Sequence, residues 1–366
     1  MPGPASTAPI TARTGVSRMS PPITRTSSWN SRDYSRIIDV RAPSEFADDH
    51  VPGAINLPVL DDAERAEIGT LYKQVGAFEA KRRGAALVAR NISRHLDTEL
   101  SDAPRDFRPL VYCWRGGQRS GAMARILSEI GWKVTVIEGG YKAYRKSVLN
   151  QLDSIPPQLR LIILRGATGT AKTHILRAAA KAGGQIIDLE GLAHHRGSLL
   201  GPEPDHEQPS QRQFESGLAN AIAAFDASRP VFIEAESNKI GALHIPRSLW
   251  KSMREADSIG LSVPRDQRVA FLLQDYAHVI AEPARLDPLL DWVVSRIGHA
   301  TVEEWRSHIE ADDWAGFVTR VLTDHYDPAY KRSAAQRAHS DIAVIEAETL
   351  DPDAITLLAE RLLEHR

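Results

Sequence analysis

The stretch "LVYCWRGGQRSG", residues 110–121, decides how the first half of this 366-residue chain folds. It opens on an apolar run, turns through paired glycines and carries Cys113, the sole cysteine of the sequence. The apolar run before a glycine turn reads as a buried strand. The following "SGAMARILSEIG", 120–131, spaces its apolar residues as a helix does and stops on Gly131. Strand, loop and helix in that order set Cys113 at the C-terminal edge of a sheet, where α/β proteins keep their reactive loops.

Working outward, "RIIDVR" (36–41) and "GAINLP" (53–58) read as strands flanking the helical turn "PSEFADDH" (43–50), and "KVTVIEGG" (133–140) as a further strand. Strands separated by helices predict a largely parallel sheet. The run "NQLDSIPPQLR" (150–160), with its Pro-Pro pair, reads as a connection to a second block. There "LIILRGATGTAKTHILRAAAKAGG" (161–184) is again strand, glycine loop and helix, "GQIIDLEG" (184–191) and "RPVFIEAES" (229–237) are buried strands, and the chain from about Arg265 onward reads as mostly helical. The expected organisation is a disordered extension over 1–30, a parallel-sheet α/β domain over 31–150, a linker over 151–159, and an α/β domain with a helical tail over 160–366. Residues 1–30 are rich in Pro, Ser and Thr and contain no acid, which is the reason for reading them as unstructured.

Composition excludes some roles. Hydrophobic residues are 42% and charged residues 25% of the chain, and no apolar run reaches the roughly 18 residues a membrane span needs. A lone cysteine makes no internal disulfide, which points to a reducing compartment, the cytoplasm. Net charge is -2, but residues 1–150 hold 22 Lys and Arg against 16 Asp and Glu, so a polyanion is better matched by the first half. The segment "KRRGAALVARNISRH", 81–95, is a candidate basic face for RNA, or else a charged solvated helix.

Cys113 and Arg119 stand as C-x5-R. Gly116 and Gly117 let the backbone curl so that successive N–H groups point inward at a helix N-terminus, forming a nest for an anion. Arg115 and Arg119 add positive charge, and together these influences favour a nucleophilic thiolate. The alternative is a core cysteine, which has no need of this many glycines and arginines. Trp114 reads as a packing residue. On this loop alone two chemistries stay open: chalcogen transfer, and cysteine-phosphatase catalysis, although Tyr112 stands where a phosphatase loop carries histidine.

In the second block "GATGTAKT", 166–173, nearly satisfies G-x-x-x-x-G-K-[ST], with Ala171 in place of the second glycine. Gly166, Thr168 and Gly169 would cradle phosphate with backbone N–H groups, Lys172 would reach a terminal phosphate, and Thr173 is a candidate magnesium ligand. Glu234 and Glu236 end the strand "VFIEAES" and are candidates for positioning a metal or water, or are plain strand-end carboxylates. "DLEGLAHHRGSLLG", 188–201, gathers Asp188, Glu190, His194, His195, Arg196 and Ser198, and "HYDPAYKRS", 325–333, mixes aromatics with Lys331 and Arg332. The paired histidines His194 and His195, with Arg196, suit phosphate or RNA better than zinc, because no further Cys or His spacing completes a zinc set; the alternative is a solvated loop.

The segments "IIDVRAPSEFADDHVPGAINLP" (37–58), "YCWRGGQRS" (112–120) and "VIEGGYKAYR" (136–145) resemble the rhodanese-like family in order and content. Asp39 and Arg41 are then bracing residues. Adding "GATGTAKT", "DLEGLAHHRGS", "PSQRQFES" (209–216), "ESNKIG" (236–241) and "HYDPAYKRS", the chain from about residue 35 to 340 resembles the tRNA 2-selenouridine synthase family, a rhodanese-like domain fused to a P-loop domain. That resemblance implies replacement of sulfur by selenium in wobble 2-thiouridine of tRNA, with selenophosphate and geranyl diphosphate as co-substrates and an S-geranylated intermediate. It implies selenium handling at Cys113, selenophosphate on Arg115, Gly116, Gly117 and Arg119, and the prenyl diphosphate on Gly166, Thr168, Gly169, Lys172 and Thr173. Its partners would be tRNA and an enzyme supplying selenophosphate. The chain departs from the family pattern at Ala171, at His194 where a smaller polar residue is expected, at "EAES" and in its first 30 residues. A P-loop kinase or ATPase with a rhodanese-like regulatory module, and a non-catalytic RNA-binding or sulfur-relay protein, remain the other readings of these motifs.

Overall fold

A computed structural model describes residues 20–196, 201, 207–235, 237–335 and 341–365. The chain divides into two units, one formed by the described residues up to Phe46 with Gly53–Ala143, the other by Ala47–Pro52 with Tyr144–Arg366.

The first unit is built on β1 (Thr24–Thr26), β2 (Arg36–Asp39), α1 (Pro43–Asp48), β3 (Ala54–Asn56), α2 (Asp62–Gln74), α3 (Ala77–Asp97), β4 (Pro109–Tyr112), α4 (Gln118–Glu129), β5 (Thr135–Ile137) and the start of α5 (Gly140–Ser154). Its sheet runs β1-β5-β4-β2-β3 with every neighbour parallel. β4 is central and buried along its whole length, which is why "PLVY" is apolar without alternation. The chain leaves β2 toward β3 and then crosses to the other side for β4, so the β4 C-terminus lies at the point where strand order reverses. α2 starts with a capping box, Asp61 accepting from the Glu64 N–H and Glu64 answering at the Asp61 N–H. α3 buries Ala80, Gly84, Leu87, Asn91, Ile92 and His95, a stripe at helical spacing.

Two expectations are corrected here. Thr24–Thr26 pair in register with Thr135–Ile137, so part of the supposedly unstructured segment 1–30 is an edge strand; residues 1–19 lie outside the described residues. The physical reason is local: three residues suffice to satisfy the open edge of β5, too short a run to announce itself by periodicity. The proposed linker 151–159 is likewise the end of α5 followed by a 3-10 turn at Pro156–Gln158. Leu152 and Pro156 are buried there, so the Pro-Pro pair ends a helix instead of opening a flexible connection.

The second unit continues with β6 (Leu161–Gly166), α6 (Lys172–Lys181), β7 (Gln185–Ile187), α7 (Leu189–Ala193), α8 (Gln211–Ile222), β8 (Val231–Glu234), β9 (Lys239–Ile240), β10 (Leu243–His244), α9 (Arg247–Glu255) and β11 (Asp257–Ser262). Then come α10 (Arg265–Asp275), α11 (Ala277–Ala281), α12 (Asp287–Ile297), α13 (His299–Glu310), α14 (Trp314–Val321), a π-helical turn at Leu322–Tyr326, α15 (Asp327–Ala335), β12 (Ala343–Glu346) and α16 (Pro352–Leu363). The sheet order is β12-β11-β6-β8-β7, again all parallel, with β6 central. The tail is mostly helical, but β12 returns to the sheet beside β11 and interrupts it. The unit has one core between sheet and helices, around Ile162, Leu164, Ile175 and Leu362, and another within the α11–α14 helices, around Leu290, Val293, Trp305 and Phe317.

Candidate active sites on the cysteine loop and the phosphate loop

Cys113 directly follows β4 and is 4% exposed, with its Sγ 3.3 Å from the Ser120 Oγ. Burial pushes the thiol up, yet hydrogen bonds from the Ser120 hydroxyl and from the N–H groups of Ser120, Arg115 and Gly117 outweigh it, and the thiol lies below its ordinary value. These donors are the inward-pointing nest expected from the glycines. Gly116 holds φ at 65°, and a Cβ there would come within 2.6 Å of the Ile137 carbonyl. Gly140 closes on the loop from below: its Cβ would lie 2.2 Å from the Cys113 carbonyl. The Tyr141 N–H donates to that carbonyl at 2.9 Å and the Lys142 N–H to the Trp114 carbonyl at 3.0 Å. Thus "GGYK" fixes the shape of "CWRG", and Trp114 packs on Tyr141 with ring centres 5.3 Å apart.

The two loop arginines differ. Arg115 is exposed and lends its backbone N–H to the thiol. Arg119 is instead paired with Glu45 at 2.7 Å. Burial opposes charge on Glu45, but Arg119, the Ala42 N–H and Arg65 hold its carboxyl below the usual range. Ser120 was missed in the sequence, although a hydroxyl directly after C-x5-R is a readable signal. Asp39 and Arg41 brace the sheet as expected: the pair is buried at 2.6 Å, and the guanidinium sits 4.0 Å from the Tyr141 ring centre.

In the second unit Gly166 ends β6 and the loop passes into α6 at Lys172. Ala171 adopts φ 55°, ψ 28°, the left-handed conformation that favours glycine, so the loop keeps its curl despite the departure from the motif. Gly169 is also left-handed, at φ 85°. The Lys172 ammonium donates to the Gly166 carbonyl at 3.0 Å, folded over the loop it would share with a phosphate. Thr173 Oγ1 donates to a Glu190 carboxylate oxygen at 2.6 Å, and Glu190 in turn offers its N–H to Glu234 at 2.8 Å. Glu190, on α7, therefore meets the magnesium-ligand candidate, while Glu234 is fully buried and orients Glu190 from behind. A hydroxyl next to a carboxylate is the hard-oxygen set that suits Mg²⁺ held mainly by a ligand's phosphates. Among the described residues no group of three His, Cys, Asp or Glu is placed to hold a metal ion.

Gly166, Thr168, Gly169, Lys172, Thr173, Glu190 and Arg196 line one cavity of about 550 Å³. Arg196 pairs with Asp275 at 2.9 Å and stacks over Tyr276 at 5.0 Å. His195 is buried beside it, and burial holds its imidazole below the ordinary value. His194 takes the left-handed cap of α7 at φ 47°, a conformation that histidine tolerates better than most residues. Glu236 and Ser198 lie outside the described residues. A second, smaller cavity of about 70 Å³ penetrates the α10–α14 helices, lined by apolar side chains including Leu290, Trp305 and Phe317. Thr168, Leu272, Tyr276 and Tyr326 line both cavities. Within the basic segment 81–95 on α3, Arg82 pairs with Glu79, Arg83 with Glu67 and Arg90 with Glu64, each at 2.7 Å, while Lys81 and Arg94 pair with no acid among the described residues.

Residues 27–147 match the Rhodanese-like domain and residues 159–287 match the tRNA 2-selenouridine synthase AAA domain. A tRNA 2-selenouridine synthase of Shewanella sediminis is 33% identical over 81% of this chain and 86% of its own length. The chain belongs to the tRNA 2-selenouridine synthase family. The counterpart from Chromohalobacter salexigens is 32% identical over 86% of this chain and 92% of that one, and that from Shewanella frigidimarina is 37% identical over 67% and 69%. Family membership joins both loops, on either side of α5, in one polypeptide and removes the phosphatase reading of C-x5-R. Among the described residues no helix is long and apolar enough to cross a membrane.

Proposed function

We propose that this chain converts wobble 2-thiouridine of tRNA to 2-selenouridine in the cytoplasm, using selenophosphate, through an S-geranyl intermediate made from geranyl diphosphate. The observation that carries the prenyl step is the adjacency of the two cavities in the second unit, which share part of their lining. Thr168, Leu272, Tyr276 and Tyr326 line both the phosphate cradle and an adjoining apolar pocket. That shape suits an amphiphile with a diphosphate head and a hydrocarbon tail, and the apolar pocket offers little to the polar edges of a nucleobase.

In the first step the thiouridine sulfur attacks C1 of the geranyl group, and the C1–O bond to diphosphate breaks with its electron pair leaving on oxygen. The N–H groups of the 166–171 loop and Lys172 stabilise that leaving charge. Mg²⁺, when bound to Thr173 and the diphosphate with Glu190 alongside, would supply further charge neutralisation. In the second step the selenium of selenophosphate adds at C2 of the base, the C2–S bond breaks and expels geranylthiol once a proton reaches sulfur, and water then cleaves the Se–P bond to leave 2-selenouridine and phosphate. S-alkylation is what makes that sulfur a competent leaving group. The Cys113 thiolate would handle the selenium, the loop N–H groups would hold the selenophosphate anion or the phosphate derived from it with Arg115 at its rim, and selenophosphate would come from a separate synthesising enzyme.

The test is mass spectrometry of tRNA nucleosides from cells carrying each variant. Cys113→Ala is expected to abolish 2-selenouridine while S-geranyl-2-thiouridine accumulates, and Lys172→Ala to lower both by at least tenfold. Unchanged 2-selenouridine on deletion of the whole chain would overturn the proposal. Saturable ATP turnover without tRNA, lost in Lys172→Ala, would favour the kinase reading instead.

A further inference from the structure

The ion pairs that engage Arg82, Arg83 and Arg90 on α3 have no counterpart, among the described residues, at one cluster of cations in the second unit. On α12, Trp292 is 45% exposed, and the Arg296 guanidinium lies 3.7 Å from its ring centre. On the run from the π turn into α15, His325 is followed by the exposed Lys331 and Arg332. His325 links the two elements: burial first, then the charges of both Arg296 and Arg332, hold its imidazole below the ordinary value.

The acids around this surface are committed elsewhere. Asp287 and Asp291 pair with Arg306, Asp324 pairs with Arg320 and accepts from the Trp305 indole, and Asp327 pairs with Arg268 and Arg265. Among the described residues Arg296, Lys331 and Arg332 take part in no salt bridge, and the following sequence "SAAQRAHS", 333–340, contains no acid. Among the described residues this cationic cluster, with an exposed indole beside it, has no acid paired to it, a local positive patch that suits a polyanion even in a unit whose residues from 151 onward are net acidic. Its position is specific too: Tyr326 and Tyr330, on the same helical run, line the phosphate cavity.

We infer that Trp292, Arg296, His325, Lys331 and Arg332 form the surface on which a single-stranded RNA loop docks, its phosphates on the cations and a base on the indole, beside the phosphate cavity. The inference rests on the tRNA-modifying reading above and assigns that reading's RNA contact to this surface, away from α3. Indole stacking and phosphate neutralisation are the two devices by which proteins hold unpaired RNA.

Fluorescence anisotropy with a labelled RNA hairpin carrying 2-thiouridine in its loop tests this on the full chain. Arg296→Gln/Arg332→Gln is expected to weaken binding about tenfold and to flatten the salt dependence by about 1.4 in the log–log slope, the contribution of two single-strand phosphate contacts. Trp292→Ala is expected to cost about tenfold. Arg83→Gln, whose charge is spent on Glu67, leaves binding unchanged. If the double glutamine variant melts early, Arg296→Lys/Arg332→Lys and Lys331→Gln replace it, the first retaining affinity and the second losing part of it. Wild-type affinity in the glutamine variants, or displacement of the hairpin by anionic phosphatidylserine vesicles as readily as by unlabelled hairpin, overturns the inference while leaving the tRNA reading intact. Failure of the wild-type chain to bind the hairpin overturns both.

Discussion

At residue scale, Ala171 shows how a motif can be broken in letter and kept in shape. A non-glycine residue in the left-handed region costs about 1–2 kcal/mol, and here its methyl is also 5% exposed within the core of the second unit. Ala171→Gly trades that strain for one buried methyl, worth about 0.8 kcal/mol, and for the larger unfolded-state entropy of glycine. Stability in urea is therefore expected to change by less than about 1 kcal/mol, whereas a β-branched valine, a true outlier at positive φ, should cost more than about 2 kcal/mol. Cys113 gives a second prediction. Because its thiol lies below its ordinary value, the rate of alkylation by iodoacetamide should reach its plateau at lower pH than for a free cysteine, and Ser120→Ala should move the midpoint upward. A midpoint unmoved by Ser120→Ala would contradict the role of that hydroxyl. The sequence made the curled loop around Cys113 legible because glycines crowd it. It could not reveal that Arg119 is spent on Glu45, 74 residues earlier in the chain, since spacing carries no information about distant acids.

At the scale of elements, the strand-loop-helix pairs were readable because an apolar run leads through a glycine-bearing loop into a helix. What went unread were strands without such a loop after them: β1, β11 and β12 are strands of three, six and four residues that gain their ladders from distant neighbours. The end of α5 was misread for a related reason, since the proline pair marks where a helix stops and says nothing of the packing before it. Arg268 illustrates coupling between elements that no local pattern announces. From α10 it donates to the Thr168 carbonyl at 2.9 Å and to Asp327 on α15 at 2.6 Å, tying the phosphate loop to the helical tail. Arg268→Met leaves a carbonyl and a carboxylate of the second unit without this donor, and should lower stability by about 2–4 kcal/mol. It should also weaken geranyl diphosphate binding by isothermal titration more than it weakens the RNA hairpin; equal losses would place Arg268 outside the phosphate loop's support.

For the molecule as a whole, the first unit packs around Ile38, Val111, Met123 and Val136, and the second has its own cores, so each carries a separate hydrophobic term. Calorimetry of the full chain is expected to show two transitions, and geranyl diphosphate at about 100 times its Kd should stabilise one of them by about 2.7 kcal/mol. A shift of the transition monitored at Trp114 or Trp132, both in the first unit, would speak against the second unit as the prenyl site. The two-block organisation was legible because each motif brought its own strand and helix. The apolar pocket was not, because its lining is spread from Thr168 to Tyr326 and becomes a surface only after the helices pack. The strand at Thr24–Thr26 has a consequence of another kind. By pairing with β5 it covers that strand's rim of amide and carbonyl groups and leaves the edge of the sheet to a three-residue strand carrying the exposed Arg25, which blunts it. Trimming the leader past residue 26 would turn that rim into an adhesive edge, so a shortened protein could keep every catalytic group and still be lost to self-association.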